Sequence, residues 1–326
     1  NNAVDIFQEP HGHVNLCSAK AGGFAGGLFA IWIPDRQDFG DIIEAMEQSG
    51  YDLPLPPEIP QPFALSAAHD QLSIIEQLES AAHLKICTST EDIRSCFADG
   101  TLAAVLHMEG AEAIDPDFEV LYEFHEKGLR SLGPVWSRPT RYGAGVPFRF
   151  PSSPDIGAAL TDDGKRLVTT CNELKIMLDV SHISEAGFWD IASLTSAPLV
   201  ATHSNCHALC HHSRNLTNAQ LHAIAESNGM VGLNFATALL RPDGRMVADT
   251  AVETMLQHLD HMIDILGEDG VGLGSDFDGA VVPEIICNAS GLPVLQEAMI
   301  THGYTTALMR KICHENWLRV LGQTWK

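Results

Sequence analysis

Residues 101–110, TLAAVLHMEG, decide how this chain is read. They form an apolar run of strand length that ends on an ionisable residue, Glu109, followed by glycine. Three other runs share that design: 174–182 (LKIMLDVSH), 197–203 (APLVATH) and 271–279 (VGLGSDFDG). Continuous runs rich in Val, Ile and Leu are what strands buried on both faces require. Between them lie amphipathic stretches long enough for helices, and strands alternating with helices predict a parallel sheet. The expected class is α/β, a (β/α)8 TIM-type barrel. In such a barrel the C-terminal ends of the strands share one face, and that face carries the chemistry. Glu109, His182, His203 and Asp276 would then converge from distant parts of the sequence. Two imidazoles and two carboxylates together suit a borderline cation such as zinc.

Seven strong strand candidates stand out, at 28–33, 102–109, 130–136, 176–182, 199–203, 230–236 and 271–276. Helical periodicity is expected over 63–82, 118–127, 184–194, 217–227, 252–266 and 304–321. Thr90 and the Asp249-Thr250 pair are expected helix caps. LKICTST adds a short strand before Thr90, and the proline-rich piece 52–62 reads as an extended surface loop. A closed barrel needs eight strands. The missing one should precede Leu28, where only the weak candidates 3–7 and 14–17 occur. The first strand is therefore expected to be lacking or degenerate. No repeat or low-complexity tract divides the chain, so residues 1–326 are expected to form one hydrolase domain.

With 45% hydrophobic residues among 326, the chain can build a sizeable core. Its 42 acidic and 19 basic residues give a formal charge of -23, which argues against nucleic acid or an anionic membrane as partner. The acidic excess reads as a solvated shell. Eight cysteines include no CxxC pair, and a chain of this size needs no disulfide staples. Buried thiols in a reducing, cytoplasmic setting are expected. The apolar stretch AGGFAGGLFAIWIP is too short and glycine-rich to span a membrane, and NNAVDIFQEP lacks the character of a signal peptide.

Taken singly, each candidate residue has a plain structural reading. His182 and His203 gain weight together, each closing a strand of consecutive βα units. Glu109 has the same placement; a carboxylate there can bridge cations or serve as an ion-pair partner. Asp276 can ligate metal or act as general base, whereas Asp278 is expected to cap the turn. His207, His211 and His212 lie in a polar loop, where metal ligation is not expected. Arg214 and Asn215 follow that loop, and a guanidinium above a metal site suits a substrate carboxylate. GGFAGG lacks the strand–helix context of a dinucleotide fingerprint, and no G-x-S-x-G elbow occurs.

These residues carry a resemblance to the membrane (renal) dipeptidase family of zinc metallopeptidases, in its bacterial branch. The blocks that carry it are GGFAGGLFAIWIP, LHMEGAEAI, GLRSLGPVWSRP, IMLDVSHISEAGFWD, PLVATHSNCHALCHHSRNLT, GMVGLNFA, VGLGSDFDG and CHENWLRVL. The resemblance implies an amidohydrolase-type barrel with two Zn2+ ions. It implies that Glu109 bridges them, that His182 and His203 complete one site, that Asp276 handles the water proton, and that Arg214 holds the substrate carboxylate. It differs at two places. The family's H-x-D pair on the first strand is not found; HGHVN at 11–15 imitates it but sits too close to GGFAGG, so His13 is not expected to be a ligand and the chain is expected to begin after that strand. Trp136 stands where relatives carry a substrate-contacting histidine on the fourth strand. The expected function is zinc-dependent dipeptidase action, breaking the amide bond of a dipeptide with a metal-bound hydroxide. Its alternatives are a non-catalytic or truncated barrel with an incomplete metal site, and a related hydrolase of N-acyl amino acids or lactones. The expected partner is a small dipeptide, with no nucleic acid and no membrane; a homodimer is left open.

Overall fold

Eight parallel strands organise the computed structural model, which describes residues 7–9, 11–34 and 39–326. In chain order they are β1 (Gly26–Trp32), β2 (Leu84–Ile86), β3 (Leu102–Glu109), β4 (Leu129–Gly133), β5 (Met177–Leu178), β6 (Val200–Ser204), β7 (Met230–Asn234) and β8 (Val271–Gly274). β1 pairs with β3, β3 with β4 and β4 with β5. A single bridge from Asp179 to Val200 carries the series on to β6, which pairs with β7, and β7 with β8. Seven strands thus run around a barrel wall. β2 is the eighth, but it pairs only with the first residues of β3, in line with β4 on the same edge.

The alternation of β3 shows how the barrel fills. Ala104, Leu106 and Met108 join the large cluster that the surrounding helices cover. Ala103 and Val105 point the other way and pack with Met177, Val200 and Met230 from β5, β6 and β7. They form an apolar floor, as period-two side chains of a barrel strand should. Higher on the same inward face come His107 and then Glu109. The floor therefore gives way to polar side chains toward the C-terminal ends.

β1 and β8 do not pair among the described residues. A cavity of about 830 Å³ lies between them, bounded by residues including Gly27, Phe29, Leu273 and Trp317. The wall is thus open where the first strand was expected to be lacking. The side chain of Gln71 accepts from the Trp32 amide at 3.0 Å and donates to the Trp32 carbonyl at 2.6 Å. On the far side, the Trp317 indole donates to the Leu273 carbonyl at 3.0 Å.

Several local expectations are corrected. The weak strand at 14–17 is the start of the helix Leu16–Gly22, because Asn15 and Ser18 form a reciprocal capping box. The other weak candidate, 3–7, lies outside the described residues except for Phe7. Ser89, not Thr90, caps Thr90–Asp99 by accepting from the Asp92 amide. The helix Val252–Leu266 has the expected bounds, but Ala251 precedes it without a side-chain cap, and the Thr250 hydroxyl donates to Val247 instead. The extended piece gives way at Gln61, with Pro62 in the first helical turn. The expected helix 304–321 is broken by a π turn at Lys311–Glu315. There Asn316 donates to the carbonyls of Glu268 and Val271, tying the helix to the foot of β8.

Two buried histidines brace the loop that follows β6. The Cys206 amide donates to His258 Nδ1 at 3.1 Å, and His258 Nε2 donates to the Leu240 carbonyl at 2.9 Å. The Arg214 amide donates to His212 Nδ1 at 3.0 Å. An amide donor requires a bare nitrogen, so both rings are neutral. Burial holds His258 down at about 4 and, with the Arg214 charge beside it, His212 at about 3.

Two outcomes are expected. Between pH 6.5 and 4 the unfolded chain binds protons that these folded imidazoles refuse. Unfolding free energy measured in urea should therefore fall with acidification by about 1.4 kcal/mol per pH unit for each histidine. A pH-independent value over that range would contradict the neutral assignment. Separately, a β-carbon on Gly274 would collide with the Thr202 carbonyl and lie 3.0 Å from the His203 Cα. Gly274→Ala should cost about 1–3 kcal/mol by overpacking, seen as a lowered calorimetric Tm.

Candidate metal centre

Three strand ends bring three donor atoms together. Glu109 Oε1 lies 3.0 Å from His182 Nε2 and 3.2 Å from His203 Nε2, and the two nitrogens are 3.0 Å apart. Glu109 is the last residue of β3, His203 lies in β6, and His182 follows β5 by four residues. This is the one cluster of three such side chains among the described residues that is close enough to share a cation. Tetrahedral coordination with bonds of about 2.0–2.1 Å places neighbouring ligand atoms about 3.3 Å apart. The triangle is within a few tenths of an ångström of that spacing, so the donor set fits a zinc-sized ion.

The protons are arranged for the same purpose. Arg214 Nη2 donates to His182 Nε2 at 3.1 Å, which requires a lone pair there. His182 Nδ1 then holds the ring proton and donates to Ser137 Oγ at 2.9 Å. Burial, reinforced by the Arg214 charge, holds His182 down at about 3, so it is a neutral ligand. Burial also disfavours the ionised form of Glu109, but the adjoining His182 and His203 outweigh it and hold the carboxyl well below its usual range. Burial pulls His203 down, and Glu109 and Asp276 more than reverse that effect.

Asp276 sits two residues beyond β8 with φ +55°, a left-handed conformation that turns the chain at the barrel mouth. Asn234, at the end of β7, donates to Asp276 Oδ2 at 2.9 Å. Asn234 escaped sequence reasoning because GMVGLNFA reads as a plain apolar strand. Asp278 has a wider reach than the local cap expected of it. Its carboxylate accepts from the amides of His13 and Val14, and its own amide donates to His13 Nδ1 at 2.9 Å. His13 is thereby a tether between the N-terminal segment and the loop after β8.

Arg214 is buried at 2% exposure. It donates to the carbonyls of Ser181 and His203 and to His182. Its Nε has no partner, and burial pulls its pKa down to about 10. No carboxylate touches it among the described residues, so a buried cation faces the site without a bonded anion. Asn215 is placed differently from expectation. Its amide nitrogen is committed to the carbonyls of Cys210 and Leu239, each at 2.9 Å, which fixes the loop, while its Oδ1 is buried without a partner among the described residues. His207 Nε2 donates to the Ser152 carbonyl at 2.7 Å, and His212 lies between Tyr51 and Phe148, so neither joins the centre.

Trp136 forms one wall. Its ring centroid is 5.9 Å from that of His182, and it meets Trp32 and Phe148 edge-on at 5.3 and 5.6 Å. The Arg138 guanidinium lies over it at 5.0 Å. Arg138 is fully buried and pairs with Glu112 at 2.9 Å. This pair was not singled out from the sequence. The signal was present in the two charges of EGAE and WSRP, each inside an otherwise apolar block.

A family model described as membrane dipeptidase (peptidase family M19) matches residues 1–326. A crystal structure of a metallo peptidase from Rhodobacter sphaeroides, liganded with a phosphinate mimic of the dipeptide L-Ala-D-Ala, superposes with a TM-score of 0.96 at 54% identity, covering 97% of this chain and 92% of that one. A second structure, described as the dipeptidase AC, a metallo peptidase of family M19, gives 0.95 at 54% identity, covering 97% and 91%. An uncharacterized protein in the pqqA 5' region of Klebsiella pneumoniae is 47% identical over 258 residues, 78% of this chain and 95% of its own length.

Proposed function

We propose that this chain, which belongs to the membrane dipeptidase family (peptidase family M19), hydrolyses dipeptides at the Glu109–His182–His203 centre with zinc as its cation. Metallo-dipeptidase character follows from membership and from the two neighbours at 54% identity. The observation that carries the site assignment is the triangle of donor atoms with edges of 3.0–3.2 Å at three strand ends. A bound zinc ion would polarise the scissile carbonyl and make water a competent nucleophile near neutral pH.

Glu109, His182 and His203 would hold that ion. Asp276 is the proton carrier: it takes the proton of the attacking water and delivers it to the leaving amine. Asn234 occupies one of its oxygens and fixes the orientation of the other. Arg214 receives the terminal carboxylate of the substrate, the anion its buried guanidinium lacks. Asn215 serves by holding the Arg214 loop. Trp136 closes the side of the site with an apolar face.

L-Ala-D-Ala is the first substrate to test, since its phosphinate mimic occupies the Rhodobacter relative. Trp136 supports a second reading within the hydrolases, because an indole face tolerates an N-acyl group or a lactone ring where a polar side chain would not. No helix among the described residues is long and apolar enough to cross a membrane. Five buried cysteines among eight free ones are in keeping with a reducing, cytoplasmic setting.

The zinc-loaded protein should release free amino acids from mixed L-X-D-Y and L-X-L-Y dipeptides, lose that activity to a chelator, and regain it with Zn2+. Elemental analysis should find bound zinc. Absence of both metal and turnover would leave a non-catalytic barrel. Asp276→Asn should lower kcat by about 10²–10⁴-fold while zinc content stays near that of the parent; an unchanged kcat would move the proton transfer to another group. Turnover of N-acetyl amino acids or lactones in preference to every dipeptide would favour the second reading.

A further inference from the structure

The layer of the barrel directly below the metal centre is polar. Inward positions of barrel strands are ordinarily filled with branched apolar side chains. Here they hold His107, Ser131, Asp179 and Thr202, all buried, with Ser181 beside them. Such a layer is costly unless every polar group is matched, so its pattern of donors is informative.

Asp179 is the acceptor at its centre. Asp179 Oδ1 accepts from the Ser181 amide at 3.0 Å, the Ser181 hydroxyl at 2.6 Å and the Thr202 amide at 2.9 Å. Asp179 Oδ2 accepts from the Thr202 hydroxyl at 2.6 Å. A hydroxyl has one proton, and the proton of Thr202 is therefore spent on Asp179. Yet Thr202 Oγ1 also lies 2.7 Å from His203 Nδ1. Only lone pairs remain on that oxygen, so the proton between the two must be carried by His203 Nδ1. His203 Nε2 is thereby left as the nitrogen that faces Glu109 and His182. The same carboxylate also acts on the backbone: the His203 amide donates to Ser181 Oγ at 3.1 Å, and Ser181 Oγ donates to Asp179.

We propose that Asp179 and Thr202 are positioning residues that fix the ring proton of His203 on Nδ1 and aim Nε2 into the metal centre, through a carboxylate–hydroxyl–imidazole relay. Metal-binding imidazoles commonly need a carboxylate or carbonyl behind them to hold tautomer and orientation. In this chain Asp179 Oδ2 lies 4.0 Å from His203 Nδ1, beyond hydrogen-bond reach, and the Thr202 hydroxyl between them transmits its demand. The polar run D-V-S-H and the Thr of V-A-T-H are the sequence trace of that relay.

The inference rests on the zinc reading of the site, and the experiment separates the two. Zinc affinity of the full chain is measured by competition with a chromogenic chelator, alongside the visible absorption of the Co2+-substituted protein and the Tm of each variant. Thr202→Val keeps shape and removes the relay oxygen; it should weaken zinc binding about 10–100-fold and alter the Co2+ bands. Thr202→Ser keeps the oxygen and should stay close to the parent in both readouts. Asp179→Asn should resemble Thr202→Val. Zinc affinity unchanged in a folded Thr202→Val protein would overturn the relay, as would an equal loss in Thr202→Ser, which would assign the effect to the methyl group. If Thr202→Val does not fold, the pair Thr202→Ser and Asp179→Asn decides: parental affinity in both overturns the proposal. Failure of the parent itself to bind zinc would instead defeat the metal reading.

Discussion

Three potential ligand atoms held within about 3 Å of one another, in a largely buried place, are the constraint on which this molecule turns. Glu109, His182 and His203 do not hold that arrangement by themselves, because Arg214 keeps His182 Nε2 a bare acceptor facing the Glu109 carboxylate. The barrel imposes it. Three strand ends meet there, and the two imidazoles are each backed by a hydroxyl, Ser137 behind His182 and Thr202 behind His203. A cation relieves the repulsion that the fold has assembled. The apolar floor below supplies the rigidity, and the polar layer between floor and centre supplies the aim.

Much of this was legible in the sequence because strand burial and strand ends leave strong marks. Runs such as TLAAVLHME and APLVATH are too apolar for a solvated strand and too short for a helix. A charged or imidazole residue closing such a run stands out. What escaped notice was of two kinds. Caps depend on one hydrogen bond, so Ser89 took the place of neighbouring Thr90 and Ala251 that of Thr250. Long-range polar partners carry no local signal: Asn234 reaches Asp276 from β7, and Ser137 reaches His182 from the loop after β4. Asn215 is the converse case. Adjacency to Arg214 suggested a shared duty, whereas successive residues of a tight loop point in different directions, and Asn215 points at carbonyls.

The wall beside the centre has its own logic. Trp136 is held by Trp32, Phe148 and the stacked Arg138, and Arg138 in turn is neutralised by Glu112. Burying that ion pair gains little stability by itself, since the charges lose about as much to desolvation as they gain from each other. Its value lies in directionality: a fixed guanidinium plane sets the indole plane, and the indole plane limits what can lie against His182. Flat groups, more than a pattern of hydrogen bonds, thus fix the Trp136 face beside His182.

The amide of Gln71 imitates a neighbouring strand at Trp32, taking both its backbone donor and its acceptor, and the Trp317 indole does half as much at Leu273. Unsatisfied strand margins recruit other chains and seed aggregation. By masking the rim at these two points, side chains protect against intermolecular sheet growth without adding another strand.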